Sequence, residues 1–153
     1  MIAVIQRVKR ASVSVDDKVC GSCQKGLMVL LGIAEGDTEE DVRLMCEKIL
    51  KLRIFSDPDG KMNLSVQNVG GEMLVVSNFT LLAAYRNGNR PDFMNAMKPE
   101  QAYPLYKRFI EMSKETLPHV AEGIFGADME LTIVNDGPVT IVMDSKILRG
   151  PKL

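Results

Sequence analysis

The 153-residue sequence has no tryptophan, one histidine and three cysteines, and these shortages exclude several kinds of chemistry. A single imidazole, His119, supplies neither the ligand set of a catalytic zinc site nor a convincing base for a serine triad. An odd number of cysteines in a chain of this size indicates reduced thiols rather than a disulfide framework. Walker and dinucleotide-binding glycine motifs are also missing. The sequence therefore predicts no metal and no cofactor.

The one CxxC motif runs from Cys20 to Cys23. A lone CxxC without a second pair is a weak zinc signal. A redox role needs a helix N-terminus that lowers a thiol pKa, whereas this motif lies in a segment with the pattern of a strand. Small residues that fill a sheet are the simpler interpretation. A redox protein remains an alternative, and it loses if serine replacements at both cysteines leave the activity intact.

Long apolar runs and an excess of one charge are missing as well. No segment approaches the roughly 18 apolar residues of a membrane-spanning helix, and the opening MIAVIQRVKR does not have the charge order of a secretory signal. Nineteen basic and twenty acidic side chains give a net charge of -1, so no overall positive field indicates a nucleic-acid partner. We expect a cytoplasmic protein without a membrane partner, in which any polyanion meets local basic clusters.

The apolar pattern predicts more strands than helices. Alternation in AVIQRVKRASVSV predicts a half-buried strand, and the apolar runs LMVLLGIA and GEMLVVSNFTL predict buried strands. MELTIVND and VTIVMDS predict two closing strands, with Asn-Asp-Gly as the turn of a hairpin between them. The proline after that turn stands where the second strand begins, which is acceptable on an edge strand.

Two helices are predicted. GDTEEDVRLMCEKILKL begins with Asp37 or Thr38 as a cap, and its core-facing stripe is Val42, Met45, Cys46, Ile49 and Leu50. The second helix covers about 102–117 and starts near Pro104, because proline clashes inside an established helix. Together these elements predict an α+β fold in which a largely antiparallel, barrel-like sheet carries two helices on one side.

Two tetrapeptides, SNFT at 77–80 and GPVT at 137–140, resemble the signatures Ser-Gln-Phe-Thr and Gly-Pro-Val-Thr of the D-aminoacyl-tRNA deacylases. AVIQRV, GDTEED, GGEMLVVS, NRPDF and FGADM also resemble family sequence and occur in family order. The resemblance covers roughly residues 1–145, which we interpret as a single deacylase domain. Residues 146–153, KILRGPKL, form a basic C-terminal tail outside this domain.

The resemblance implies a homodimeric cytoplasmic hydrolase. Its substrate is D-aminoacyl-tRNA, and glycyl-tRNA mischarged on tRNA-Ala is a further expected substrate. In the family the Gly-Pro bond is cis and enters the active site of the partner subunit, where the two carbonyl oxygens face the chiral centre. Carried over, that bond is Gly137-Pro138, and it would reject L-aminoacyl-tRNA by leaving no room for the side chain.

The resemblance also implies the site residues. Ser77, Phe79 and Thr80 are the expected catalytic residues, with nearby backbone N–H groups stabilising an oxyanion. Thr80 is a nucleophile by type but has no visible base, so attack by water with help from the ribose 2′-hydroxyl is favoured. Asn78 stands where the family usually has Gln. The other expected substrate-binding residues are Gly137, Pro138, Val139, Thr140, Phe125, Gly126 and Arg7, and the tRNA-contact candidates are Arg86 and Arg90.

Two other functions remain open. Some relatives have been linked to DNA binding, so a nucleic-acid-binding module without catalysis is one alternative, although the near-neutral charge speaks against tight duplex binding. The other is an editing relative with a trans Gly-Pro bond that acts on certain L-aminoacyl-tRNAs.

Overall fold

The computed structural model describes residues 1–151, and residues 152 and 153 of the expected basic tail lie outside this range. The fold is α+β, as expected, with eight strands and three helices in this part of the chain. The strands are β1 (Ile2–Val15), β2 (Lys18–Cys23), β3 (Gly26–Gly32), β4 (Phe55–Ser56), β5 (Met62–Leu64), β6 (Glu72–Ser77), β7 (Val120–Glu122) and β8 (Glu130–Asp144). The helices are α1 (Glu39–Lys51), α2 (Pro99–Thr116) and α3 (Ser145–Arg149).

The main sheet is largely antiparallel, as predicted, but it also contains two parallel pairings. Its order is β2-β1-β3-β6-β7, and β8 pairs with β1. All three pairings of β1 are antiparallel, but β3 with β6 and β6 with β7 are parallel. The two parallel pairings arise because each of the long helices serves as a crossover, α1 between β3 and β6 and α2 between β6 and β7.

The sheet curls into a nearly closed barrel. Its two ends are β2 and β7, and a Cβ added to Gly21 on β2 would lie 2.5 Å from the Glu122 carbonyl oxygen on β7. Glycine at position 21 therefore permits the close approach of these two ends. β3 is buried along its length, as its continuous apolar run predicts.

The CxxC motif lies on β2 at one end of this barrel. Cys23 is buried among apolar side chains that include Val13 and Leu74, whereas Cys20 is exposed. Burial, with the nearby Glu72 carboxylate, raises the pKa of the Cys23 thiol to about 11. A reactive thiol needs the opposite shift. The buried cysteine thus fits the interpretation of small residues filling a sheet.

The first helix follows the prediction closely. Thr38 is its N-cap, the Thr38 N–H donates to Asp41 Oδ2 over 2.8 Å, and the stripe from Val42 to Leu50 is buried. The second helix starts at Pro99 rather than near Pro104, which lies inside it. Pro99 takes the first helical position, where a missing N–H costs nothing. The buried Tyr106, Phe109 and Ile110 then anchor the turns beyond Pro104.

No hairpin forms at VNDGPVT. The two predicted closing strands are one strand, β8, which runs antiparallel to β1 from Ser14↔Glu130 to Ile2↔Asp144. Val8 pairs with Asn135 and Gln6 pairs with Thr140, so the four residues 136–139 face the single residue Arg7. The turn residues therefore make a large bulge within a strand instead of a chain reversal.

A buried polar cluster joins the chain start to two helices. The Met1 ammonium donates to Asp37 Oδ1 over 2.9 Å and to Ser145 Oγ over 3.0 Å. The Ser145 hydroxyl in turn donates to Asp41 Oδ1 over 2.7 Å, and Arg149 forms an ion pair with Asp41. Asp41 is fully buried. One carboxylate therefore caps α1 and also holds the start of α3, a helix that the sequence did not predict.

No helix within residues 1–151 combines the length and the apolar character that a membrane crossing requires.

We expect Asp41→Ala to lower the free energy of unfolding by about 2–4 kcal/mol, because it removes the cap and leaves the buried Ser145 hydroxyl without its acceptor. Urea denaturation measures the change. Glu39→Ala is the matched control in the same helical turn, where the Glu39 side chain is 77 % exposed, and it should cost less than about 0.5 kcal/mol. Equal losses in the two variants would contradict the role assigned to the cluster.

Candidate active site

A cavity of about 830 Å³ opens at the sheet edge where the parallel strands β3 and β6 both end. Carboxyl ends of parallel strands are a common place for ligand sites, since the chain leaves the sheet there in loops. The rest of the wall comes from Ile33, the SNFT residues 77–80, Phe93, the segment 96–99, Ala102 of α2, and residues 125–129 and 131.

The SNFT segment is held tightly against β3. The Asn78 N–H donates to the Leu31 carbonyl over 2.9 Å, and residues Phe79–Leu82 then form one 3₁₀ turn. A Cβ added to Gly32 would lie 2.5 Å from Leu82 Cδ2 and 2.9 Å from the Asn78 carbonyl oxygen. Glycine at position 32 therefore lets the turn pack directly on the strand, which fixes the position of the four residues at the cavity.

Backbone donors are available at this turn. The first N–H groups of a helix have no partners within it, and in residues 1–151 the N–H groups of Phe79 and Thr80 make no hydrogen bond outside it. Both residues line the cavity. The geometry thus leaves main-chain donors where the resemblance expects an oxyanion to form.

The hydroxyl of Thr80 donates to the Asn78 side-chain Oδ1. An amide oxygen accepts a hydrogen bond but does not take up a proton at neutral pH. Lys98 and Asp128 are the only ionisable side chains in the described cavity wall. The described wall therefore contains no imidazole next to Thr80.

Aromatic side chains form two sides of the cavity. The Phe79 side chain is 58 % exposed and packs edge-to-face on Phe93, with ring centroids 5.1 Å apart. Phe79 is thus a surface of the cavity rather than part of the core. Phe125 packs on Tyr103 and Tyr106 with centroids 5.3 and 5.4 Å away, and its neighbour Gly126 has a positive φ of 80°. Both Phe125 and Gly126 line the cavity.

The GPVT motif is not part of this cavity. Within the described chain, none of Gly137, Pro138, Val139 and Thr140 lines it, and Gly137 and Pro138 are exposed at the top of the bulge in β8. The Gly137-Pro138 bond is cis, as the resemblance implies and unlike the trans alternative. One chain therefore holds the two signature motifs in separate places.

Several bonds hold the bulge in place. Arg7 donates from Nε to the Asp136 carbonyl over 3.2 Å and from Nη1 to the Ile54 carbonyl over 2.8 Å. Its Nε also lies 3.5 Å from the Asp136 carboxylate. Across the bulge, Asn135 Oδ1 accepts from the Val139 N–H, and Asn135 Nδ2 donates to Thr140 Oγ1. Arg7 thus contacts the bulge and not the cavity.

The sequence reasoning missed part of the cavity wall. Lys98 and Ala102 line it but carry no motif that marks them, and Asp128 lines it within FGADM although it was not expected as a site residue. The early start of α2 brings Lys98 and Ala102 to the cavity, and Pro99 as a first helical residue was the one signal for that start. Arg86 and Arg90 are exposed on a loop whose later part, at Phe93, reaches the cavity wall.

A sequence-family model described as D-Tyr-tRNA(Tyr) deacylase matches residues 4–144. A similar protein from Caldicellulosiruptor saccharolyticus, named D-aminoacyl-tRNA deacylase, is 56 % identical over 146 residues, covering 95 % of this chain and 98 % of its own.

Two solved structures are similar to this fold. A protein titled c-Myc DNA Unwinding Element Binding Protein is 44 % identical with a TM-score of 0.90, covering 94 % of this chain and 98 % of its own. A protein titled as a probable eukaryotic D-amino acid tRNA deacylase has a TM-score of 0.78 over 93 % of this chain and 97 % of its own. Since that second protein is only 18 % identical, it is similar in fold alone.

Proposed function

This chain belongs to the D-Tyr-tRNA(Tyr) deacylase family and is a hydrolase, and from that premise we propose that it removes D-amino acids from tRNA by cutting the ester bond to the terminal adenosine. Glycyl-tRNA mischarged on tRNA-Ala is the second proposed substrate. The proposed working form is a cytoplasmic homodimer in which the bulge at Gly137-Pro138 of one subunit enters the cavity of the other.

The observation that carries this proposal is the separation of the two motifs. The cavity beside Ser77, Phe79 and Thr80 has main-chain donors, and none of the described residues 137–140 lines it. The bulge presents exposed main chain, and within residues 1–151 it lies outside the wall of that cavity. A second copy related by a two-fold axis supplies each subunit's missing part, because such an interface repeats every contact twice.

Main-chain carbonyl groups suit the task of sorting handedness. They accept hydrogen bonds from an α-ammonium group and, when held rigidly, leave no volume on the side of an L side chain. A mismatch of about 4 kcal/mol would protect L-aminoacyl-tRNA about a thousandfold. Since no pocket for the side chain is needed, many D-amino acids are expected substrates. Arg7 and Asn135 supply the rigidity by bonding to both sides of the bulge.

Water is the proposed nucleophile. The Thr80 hydroxyl donates its proton to an amide oxygen, which does not activate it for attack. Its free lone pairs suit it to accept a hydrogen bond from the attacking water, and the ribose 2′-hydroxyl of the substrate assists. The N–H groups of Phe79 and Thr80 stabilise the oxyanion. Arg86 and Arg90 contact tRNA phosphates, and because these contacts are few, binding is sensitive to salt but not strong.

DNA binding is the second candidate function, because a structure similar over 94 % of this chain carries a DNA-binding name. The net charge of -1 provides no general attraction to duplex DNA. Filter binding in rising salt separates the two functions. A non-catalytic DNA-binding module retains duplex DNA more strongly than aminoacyl-tRNA and releases no amino acid.

Purified protein should deacylate D-tyrosyl-tRNA rapidly and leave L-tyrosyl-tRNA intact. The physical reason is the steric rejection of an L side chain by main chain, which we expect to give a ratio of kcat/KM values of about a thousand. Release of labelled tyrosine from the two paired substrates measures it. Comparable rates on both substrates would refute the proposal, and so would a failure to release tyrosine from D-tyrosyl-tRNA.

Mixing two inactive variants should restore activity. Ala102→Phe fills the cavity, and Gly137→Val distorts the bulge, since a Cβ at Gly137 would lie 2.9 Å from the Val139 backbone nitrogen. After the variants are unfolded and refolded together, a mixed dimer has one intact cavity facing one intact bulge. Random pairing then gives about a quarter of the wild-type deacylation rate. If mixed dimers form and remain inactive, the bulge does not act across the interface.

Asn78 should act only through Thr80. We expect Thr80→Val and Asn78→Ala each to lower kcat roughly tenfold, with the double variant no worse than either single one, because both remove the same oriented hydroxyl. Steady-state deacylation of D-tyrosyl-tRNA gives the four rates. Asn78→Gln is the conservative control that keeps the amide. A loss of several thousandfold in Thr80→Val alone would instead identify Thr80 as the nucleophile.

A further inference from the structure

One exposed aromatic side chain has no role in the cavity, the core or the bulge. Tyr85 is 78 % exposed, more than any other aromatic residue of the described chain. The other aromatic side chains in residues 1–151 are either buried or paired with a second ring, whereas Tyr85 belongs to none of the three aromatic pairs. A large ring that is left in water at such a position suggests a binding surface.

Tyr85 lies on a short projecting segment, residues 85–91, which we name the tip. Its base is closed by two backbone hydrogen bonds between Ala84 and Asp92, of 2.8 and 2.9 Å, and Gly88 takes a positive φ of 88° within it. All seven residues of the tip are exposed. The tip is thus a defined projection with a fixed base.

The tip is positively charged in a nearly neutral protein. Arg86 and Arg90 both lie on it, and within residues 1–151 neither guanidinium group forms an ion pair. The nearby Asp92 carboxylate accepts a hydrogen bond from the Met94 N–H over 3.2 Å. An exposed aromatic ring on the same segment as unpaired cations is a combination that binds bases and phosphates of single-stranded nucleic acid.

The tip is also next to the active site. Asp92 at its base is followed by Phe93, which lines the cavity and packs against Phe79. On the other side of the base, the 3₁₀ turn that contains Thr80 ends at Leu82, two residues before Ala84. A chain that places its last nucleotide in the cavity therefore passes the tip with the nucleotides just before it.

We propose that the tip binds the single-stranded 3′ end of the tRNA, with Tyr85 stacked on a base that precedes the terminal adenosine. This inference rests on the proposed function, since it assumes that the cavity holds the terminal adenosine. Arg86 and Arg90 contact the neighbouring phosphates. Stacking tolerates any base because every base has a π-face. The Tyr85 ring, which we call the platform, therefore holds the end of the tRNA without selecting its sequence.

Tyr85→Ala tests the platform with two substrates. On D-tyrosyl-tRNA it should raise KM by roughly 5- to 150-fold, the equivalent of about 1–3 kcal/mol of stacking, with kcat unchanged. On D-tyrosyl-adenosine, which lacks the preceding nucleotides, its kcat/KM should equal that of the wild type. Tyr85→Phe retains the ring and should behave as the wild type on both. Met94→Ala, at another exposed apolar side chain of the same loop, is the matched control.

Salt dependence separates stacking from charge. Arg86→Ala should reduce the slope of log affinity against log salt by about 0.7, the value for one phosphate contact to a single strand. Tyr85→Ala should weaken binding at every salt concentration without changing the slope. Fluorescence anisotropy of labelled, deacylated tRNA measures the affinity and its salt dependence for each variant.

Three outcomes would overturn the inference. If the wild type is active and Tyr85→Ala matches it on tRNA, the platform does not exist although the proposed function stands. If Tyr85→Ala loses as much on D-tyrosyl-adenosine as on tRNA, Tyr85 supports the cavity rather than the incoming strand. If the wild type cleaves neither substrate, the proposed function fails and the platform fails with it.

Discussion

The long pairing between β1 and β8 is the constraint on which the rest of the structure depends. β1 pairs with β2, β3 and β8 and is the centre of the antiparallel half of the barrel. β8 pairs with β1 on both sides of Arg7, but the register shifts between Gln6 and Val8, so residues 136–139 leave the ladder together. Arg7 fills the gap with hydrogen bonds to main-chain carbonyls, and this gives the bulge a fixed shape.

The cavity and the bulge lie in different halves of the barrel. The parallel half ends in the cavity, where two crossover helices leave room for loops between strand ends. The antiparallel half carries the bulge on β8, where Gly137 and Pro138 are exposed. Because the sheet fixes the distance between its halves, a flexible movement within one subunit is a poor way to bring the motifs together. Association of two copies needs no such movement.

Local patterns predicted the elements whose signals are local. The Thr38 cap and the buried stripe from Val42 to Leu50 are signals within the segment itself, and they predict α1 without reference to the rest of the chain. The bulge could not be predicted, because Asn-Asp-Gly serves a hairpin and a bulge equally well and only the pairing of both flanks with β1 distinguishes them. Likewise, the parallel pairs of β6 depend on where α1 and α2 return the chain. SNFT and GPVT were found by resemblance, whereas Lys98 and Ala102 reach the cavity only through the fold.

Because the described cavity wall contains no imidazole, the proposed site depends mainly on main-chain groups. The donors at Phe79 and Thr80 and the carbonyl groups of the bulge are main-chain atoms, which every residue type provides. Substitution of a side chain then matters mainly when it moves the chain. Gly32 illustrates this, since a single added carbon would meet the Asn78 carbonyl at 2.9 Å and displace the turn of residues 79–82. Asn78, where the family usually has Gln, is a side-chain difference that leaves the main chain in place. Its shorter amide accepts a hydrogen bond from the Thr80 hydroxyl.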